Sequence, residues 1–359
     1  MLKVGIFTPY VRNEVTLAAT QFADWLVYCG IETTMLSSGR IGSGVHPVWD
    51  KRVRRGHKKA VYSWAYGATH LCWFSADVQA LNWARLVASD HSKIKTRNLF
   101  FPYRSRWSTS CDYFMSYADR VICLDPYIFG WLLTLGYTEA KSVTYKTRCV
   151  NLTTAGRVLV PRCGSIHTSQ THLMVVLPKC IAEDVGPEII DVLDFLLCAH
   201  LDLHITVVSE STLPRSYRSM ISRLKRDYAG RVKSVTKPPY YDYVDMARQH
   251  DWVYLANTRN VFGSLMATLA GSSVPMICHD VQPARAHVKG MSGGFLLPCR
   301  ELHQLEPVAH VSLDIVARRL DSIFGESLSR LSSFQDRNVS STNLRQTHFH
   351  KFVQREFIQ

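Results

Sequence analysis

Short apolar runs alternate with amphipathic stretches along most of the chain. Val4–Phe7 reads as a strand. Val15–Gly30 places Leu17, Ala18, Phe22, Trp25 and Leu26 at helical spacing and ends on a glycine, a strong helix stop signal. Thr33–Leu36, Leu71–Phe74, Asn98–Phe101 and Arg120–Leu124 are strand-like, and Pro126–Leu135 predicts a helix closed by Gly136. A stretch rich in Gly, Ser and Thr, Thr153–Thr171, then interrupts the pattern and reads as a linker. The same grammar resumes beyond it. Strands are predicted at Leu173–Leu177, Leu203–Val208, Arg231–Val235, Trp252–Leu255 and Val274–Cys278. Helices are predicted at Pro187–Ala199, Tyr217–Tyr228, Tyr243–His250, Ser264–Ala270, Ile315–Ile323 and Thr347–Phe357.

Strands alternating with helices predict α/β architecture with parallel, doubly wound sheets. The pattern occurs twice, so we expect two Rossmann-like domains facing a cleft, residues 1–160 and 161–335. Residues 336–359 are expected to form a C-terminal helix that crosses back to pack on the first domain. Ligands of open parallel sheets gather at the carboxyl ends of the strands, so two facing sheets predict a two-ligand cleft. The length of 359 residues agrees with two domains at roughly 150 residues each.

Composition removes several classes. With 47% hydrophobic and 20% charged residues, the chain has enough apolar surface to fold, which excludes disorder. No run of about 18 apolar residues occurs, so no transmembrane segment is expected. Met1–Phe7 reads as a strand rather than a secretory signal. The ten cysteines lack any CxxC pair and are expected to be reduced, buried thiols of a cytoplasmic protein. The sequons at Asn151 and Asn338 are then chance matches. No His, Cys or Asp cluster has metal-ligand spacing, and His348 and His350 read as surface residues.

Charge changes the picture further. The net charge is +13, and it is unevenly spread. Residues 1–165 hold 21 Lys+Arg against 10 Asp+Glu, whereas residues 166–359 hold 21 against 19. The densest run is Lys51, Arg52, Arg54, Arg55, Lys58 and Lys59, followed by Lys93, Lys95, Arg97, Arg104 and Arg106. Trp49, Tyr62, Trp64, Tyr66, Tyr103 and Trp107 are interleaved with these cations. The run fits either a solvated basic face or a polyanion-binding surface, whose aromatics would stack on an exposed base.

The order of motifs resembles the GT-B glycosyltransferases, in particular the large retaining family that uses nucleotide-sugar donors. Tyr117–Leu124, with Leu135-Gly136 and Val143, is similar to that family's last segment before the linker. Asp251–Gly263 resembles its strand and phosphate-binding turn. Thr268–Asp280 resembles the helix and strand that follow, and Ser292–Leu296 the segment that closes the site. The resemblance covers residues 1 to about 300.

It implies a donor site for a nucleotide diphosphate sugar, such as a UDP-sugar, built from Lys179, Arg259, Asn260, Phe262, Gly263, Ser264 and Thr268. A strand-to-helix turn at Phe262–Ser264 would offer backbone N–H groups and a helix dipole to the diphosphate. Gly263 would allow close approach, and Arg259 would supply a forked donor set that also counters leaving-group charge. Against each stands a plainer role: a turn glycine, a surface arginine, a packing threonine. No obligatory cofactor or metal is implied.

The first domain would take the acceptor, so its charge predicts a polyanion. Arg12, Asn13, Lys51, Arg52, Arg54, Arg55, Lys58, Lys59, Trp64, Arg104, Arg106 and Trp107 are the candidate acceptor-binding residues. Size and charge are similar to bacteriophage DNA glucosyltransferases, which makes a hydroxymethylated base in DNA the lead acceptor. A target base in duplex must leave the stack, and Trp64 or Trp107 would hold it or fill the gap. Asp77 is placed either as general base or as a helix N-cap. This chain departs from the family in four places: Lys179 is the only cation near where the family has an Arg and a Lys after the first strand of the second domain, the histidine of the family's acceptor domain has no clear equivalent, and two further motifs differ. The paired glutamates fall on Asn260 and Thr268, and the glycine-rich loop after the first strand is Pro9-Tyr10-Val11-Arg12-Asn13. A lipid or saccharide acceptor at an anionic membrane surface, through peripheral contact, and an inactive GT-B binding protein are the other readings.

Overall fold

A computed structural model shows two units, Met1–Arg157 with Leu344–Gln359, and Val158–Asn343. It describes residues 2–10, 13–38, 48–89, 96–102, 109–123, 132–133, 135–137, 148–151, 170–177, 188–240, 242–256, 265–266, 269, 272, 274–280, 294–297, 300–301, 309–310, 313–325, 353–354 and 357.

The first unit is built on a seven-stranded sheet in the order β3-β2-β1-β4-β5-β6-β7. Its strands are β1 (Lys3–Thr8), β2 (Glu32–Ser37), β3 (Arg54–Arg55), β4 (His70–Trp73), β5 (Arg97–Phe100), β6 (Arg120–Cys123) and β7 (Arg148–Asn151). Every pairing is parallel. Strands β1, β4, β5 and β6 are largely buried, covered on both faces, which is why they read as apolar runs without alternation. Helices α1 (Glu14–Tyr28), α2 (Trp49–Arg52), α3 (Lys58–Ala65), α4 (Val78–Ser89) and α5 (Thr109–Tyr117) fall between the strands. Helix α1 starts where the Asn13 side chain accepts from Thr16 N at 2.8 Å, a capping bond worth about 1 kcal/mol. It ends before Gly30, which sits at φ +76°, a conformation glycine adopts without cost.

The second unit repeats the order with six parallel strands, β10-β9-β8-β11-β12-β13. They are β8 (Thr171–Leu177), β9 (Leu203–Ser209), β10 (Val232–Thr236), β11 (Trp252–Leu255), β12 (Met276–His279) and β13 (Phe295–Leu297). A small antiparallel pair, β14 (Arg300–Glu301) and β15 (Ala309–His310), lies apart. Helices span Glu188–Ala199, Arg215–Asp227, Asp242–Arg248 and Leu313–Gly325. The core joins Leu173, Val175 and Leu177 of β8 to Ile189, Leu193 and Leu196 on the first of these helices and Leu320 on the last. Each such side chain, fully buried, contributes roughly 1.5–3 kcal/mol.

The C-terminal segment belongs to the first unit. Phe357 is buried, with its ring 4.7 Å from His70 and 6.2 Å from Phe22. Among the described residues no helix is long and apolar enough to cross a membrane, and no His, Cys, Asp and Glu cluster could hold a metal. Cys29, Cys72, Cys111, Cys123, Cys198 and Cys278 are free; Cys72, Cys111, Cys123 and Cys278 are buried, whereas Cys198 is exposed.

Candidate functional site

Both sheets reverse direction of growth beside their first strand, between β1 and β4 in one and between β8 and β11 in the other. Open parallel sheets bind ligands outside the carboxyl ends of the strands at such a switch point.

In the first unit, the switch point is formed by the segments just beyond Thr8 and Trp73. Tyr10 is fully buried and sits at φ +45°, where the resembled family carries a glycine-rich loop. A tyrosine in the left-handed region stores backbone strain that its surroundings must hold in place. The hold is visible: Tyr10 OH donates to Asp50 Oδ1 at 2.6 Å. Burial, and next the bond to Asp50, pushes the Tyr10 hydroxyl far up in pKa, so it stays a donor. Ser37 Oγ donates to the Pro9 carbonyl at 3.0 Å, tying the same turn to the end of β2. The missing glycines were the one sequence signal pointing to Tyr10; Asp50 and Ser37 carried none.

Asp77 stands at this switch point as the N-cap of α4. Its Oδ1 accepts from Ala80 N at 2.8 Å and its Oδ2 from Ser75 Oγ at 3.1 Å. Both carboxylate oxygens are therefore engaged locally, the capping role foreseen beside the general-base one. Asn13 likewise caps α1, and its Nδ2 is buried without a partner among the described residues.

The structure brings Lys51, Arg52 and Arg54 together around a cavity of about 600 Å3 beside β2, with Lys3, Glu32, Thr34, Trp49, Ser63 and Trp64 among its lining. Arg55, Lys58 and Lys59 continue the run as exposed residues. None of these six cations makes an ion pair or side-chain hydrogen bond among the described residues. Trp64 corrects an expectation. It is 4% exposed, edge-on to Trp73 at 5.6 Å and close enough to Gly5 that a Cβ there would lie 2.8 Å from its ring. An indole packed on the sheet has no free face for a base, so Trp64 is a core residue. Val61, Trp64 and Ala65 repeat at i, i+3 and i+4 and are buried together on α3, a helical signal hidden by the charges around it. Arg12, Arg104, Arg106 and Trp107 lie outside the described residues.

In the second unit, β8 ends at Leu177 and β11 at Leu255. Lys179 and the segment from Arg259 to Ser264 come after these two strands in sequence, but Lys179, Arg259, Asn260, Phe262, Gly263, Ser264 and Thr268 all lie outside the described residues. What is described there is a supporting layer that sequence reasoning missed. Tyr240 OH donates to buried Glu210 at 2.9 Å, just beyond β9. Lys237, at φ +53°, turns its backbone N–H onto the Ser209 carbonyl at 2.8 Å. Tyr254 and His279 share a 2.8 Å hydrogen bond across β11 and β12. Burial pushes the His279 imidazole down to about 4, so it is neutral at pH 7.

No protein-family model matches the sequence, and no curated protein matches it. Solved structures do. The chain is similar to the pneumococcal O-GlcNAc transferase GtfA in complex with UDP and GlcNAc, at TM-score 0.69 and 9% identity over 99% of both chains. Sucrose-phosphate synthase from Thermosynechococcus elongatus matches at TM-score 0.61 and 12% identity over 100% of both. An alpha-glucosyltransferase in complex with UDP and a 13-mer DNA containing a central A:G mismatch matches at TM-score 0.60 and 8% identity over 96% of both. These likenesses, with the two parallel sheets of matching strand order, define the GT-B fold.

Proposed function

We propose that the protein is a glycosyltransferase that moves a sugar from a nucleotide diphosphate sugar to a polyanionic acceptor, with a hydroxymethylated base in DNA as the acceptor favoured. The second unit would hold the donor, with Lys179, Arg259 and the Gly263–Ser264 turn facing the diphosphate and Thr268 the ribose. The observation that carries the reading is the GT-B fold combined with six neighbouring cations that nothing in the described protein neutralises. Unneutralised clustered cations favour a phosphate backbone and steer its approach. Similarity to a transferase solved with both UDP and DNA supports the same pairing of ligands.

The test is transfer of sugar from a set of UDP-sugars to hydroxymethylated and plain duplex DNA, read as a mass increase of the strand. Modification of the hydroxymethylated strand alone is expected, and Arg259→Ala should abolish it without changing the melting temperature. Full activity in that variant would remove Arg259 from the site. A second reading, a nucleotide-binding protein without transferase activity, is favoured by Asn260 and Thr268 standing where the resembled family has glutamates. It predicts a donor-dependent rise in melting temperature with no sugar release.

A further inference from the structure

The cationic cavity does not lie where acceptor chemistry is expected. β2 runs from Glu32 to Ser37, but β3 pairs with it only at Leu36 and Ser37. The outer edge of β2 from Glu32 to Met35 is therefore left without a neighbouring strand among the described residues. The cavity occupies this notch, reaching Lys3 and Glu32 at the amino ends of β1 and β2. At about 3.3 Å per residue, its lining on β2 lies roughly 7–17 Å before the carboxyl end of the strand.

Resting on the glycosyltransferase reading, we propose that this notch is an exosite for the phosphodiester backbone of the nucleic-acid acceptor, anchoring it away from the reacting end of the sheet. Lys51, Arg52 and Arg54 supply uncommitted charge, because Glu32, the carboxylate in the lining, is already bound by Lys3 at 3.2 Å. Two buried groups of the wall, Thr34 Oγ1 and Trp64 Nε1, have no hydrogen-bond partner among the described residues. Both atoms are closed off from solvent, Trp64 Nε1 against Gly5, so the cations rather than the wall would hold a ligand here. The aromatic residues of the wall cannot read bases. Trp49 is buried with its Nε1 donating to Asp24 at 2.8 Å, and Trp64 is packed on the sheet. The notch thus recognises backbone, not sequence. Arg55, Lys58 and Lys59, exposed on the same segment, extend the track. At about 3.4 Å per base pair, the offset corresponds to roughly two to five base pairs between anchor and target.

The probe is a fluorescein-labelled 20-base-pair duplex, titrated by anisotropy from 50 to 300 mM NaCl without donor. For Lys51→Gln/Arg52→Gln/Arg54→Gln the slope of log K against log salt should become shallower by about 2–3, with affinity near 0.15 M falling roughly a hundredfold. Arg223→Gln/Arg226→Gln in the second unit should retain the wild-type slope. A triple variant with unchanged slope and affinity would overturn the exosite. Wild-type protein that ignores the duplex yet binds phosphatidylserine vesicles would overturn the nucleic-acid assignment. Loss of salt-dependent binding in the triple variant, in a protein that shows no melting-temperature response to any UDP-sugar, would leave the exosite standing and refute the transferase reading.

Discussion

The run Lys51–Lys59 and the helix Arg215–Asp227 look alike in sequence, each crowding five or six cations into a short segment. The structure treats them differently. On the second-unit helix, Arg223 reaches Asp194 at 3.2 Å and Asp191 at 3.7 Å, and Arg226 reaches Asp227 at 3.0 Å. Just beyond it, Arg231 donates to the carbonyls of Leu197, His200 and Leu201 and stacks on Tyr228. Arg215, Arg218 and Lys225 remain exposed on that helix, whereas Arg223 is answered by aspartates of the neighbouring helix and Arg226 by the adjacent Asp227. In the first unit no carboxylate answers any of the six cations among the described residues. Lys58 and Lys59 even occupy the first turn of α3, where no acidic residue is present and the helix dipole disfavours positive charge. Compensation by neighbouring carboxylates thus sets Arg223 and Arg226 apart from the first-unit run, which is the run proposed to meet a ligand.

The strongest test of the comparison concerns what holds the uncompensated run in place. Gly56 N donates to the Ser37 carbonyl at 2.7 Å, and a Cβ at Gly56 would lie 1.8 Å from Trp83 Cη2. An indole cannot yield that distance without leaving its packed position. Gly56→Val is expected to cost about 3 kcal/mol and to weaken duplex binding with it, as read by urea denaturation and anisotropy. A wild-type midpoint would mean that the segment is not docked under Trp83.

Acid should act on the second unit by placing charge on buried imidazoles. His279, His250 and His204 are all shifted down, chiefly by burial. His250 Nδ1 donates to the Met246 carbonyl at 2.7 Å, and in the neutral ring Nε2 accepts from the Thr206 hydroxyl at 2.8 Å. Unfolded imidazoles titrate near 6.5, so below that pH the unfolded state binds more protons than the folded one. Stability is then complete above about pH 6.5 and falls as pH drops towards the folded values. For His279, held at about 4, the loss reaches about 3 kcal/mol once both states are protonated. Urea midpoints should decline from pH 7 to 4, and His279→Asn should shrink the decline. A flat profile would contradict the buried neutral histidines.

The strand pattern was legible because parallel strands covered on both faces leave uninterrupted apolar runs. Leu173–Leu177 and Trp252–Leu255 read correctly for this reason. The segment from Trp49 to Ala65 was not legible as α2, β3 and α3, because its apolar positions, Trp49, Val53, Val61 and Trp64, are separated by cations that dominate any window average. Arg54 and Arg55 make a strand too short to show alternation, and charges on an exposed edge strand guard it against foreign pairing. Helix α4 escaped the pattern although Ala80, Trp83, Ala84 and Val87 keep helical spacing behind the Asp77 cap. Tyr10 at positive φ could not be foreseen, since nothing local compensates it; its partner Asp50 is 40 residues away.

A smaller effect separates the paired arginines from the unpaired ones. Arg223→Ala removes an exposed pair and should cost less than about 1 kcal/mol, without changing duplex affinity. A larger cost would mean that the aspartates hold the helix rather than merely neutralise it.

The smallest effect has the opposite sign. Replacing Lys58 by Glu places a carboxylate at the amino end of α3, where His57 Nδ1 already accepts from Ala60 N at 3.3 Å. The helix dipole and the neighbouring Arg54, Arg55 and Lys59 all favour negative charge there, so Lys58→Glu should raise stability by about 0.3–1 kcal/mol. The same substitution removes one phosphate contact and adds a repulsive one, so duplex affinity should fall and its salt slope should become shallower by about 1. Stability gained where binding is lost is the signature of a charge kept for a ligand rather than for the fold. A variant that is both less stable and equally tight would place Lys58 with the solvated cations of the second-unit helix, and the contrast between the two runs would narrow to the three residues around the notch.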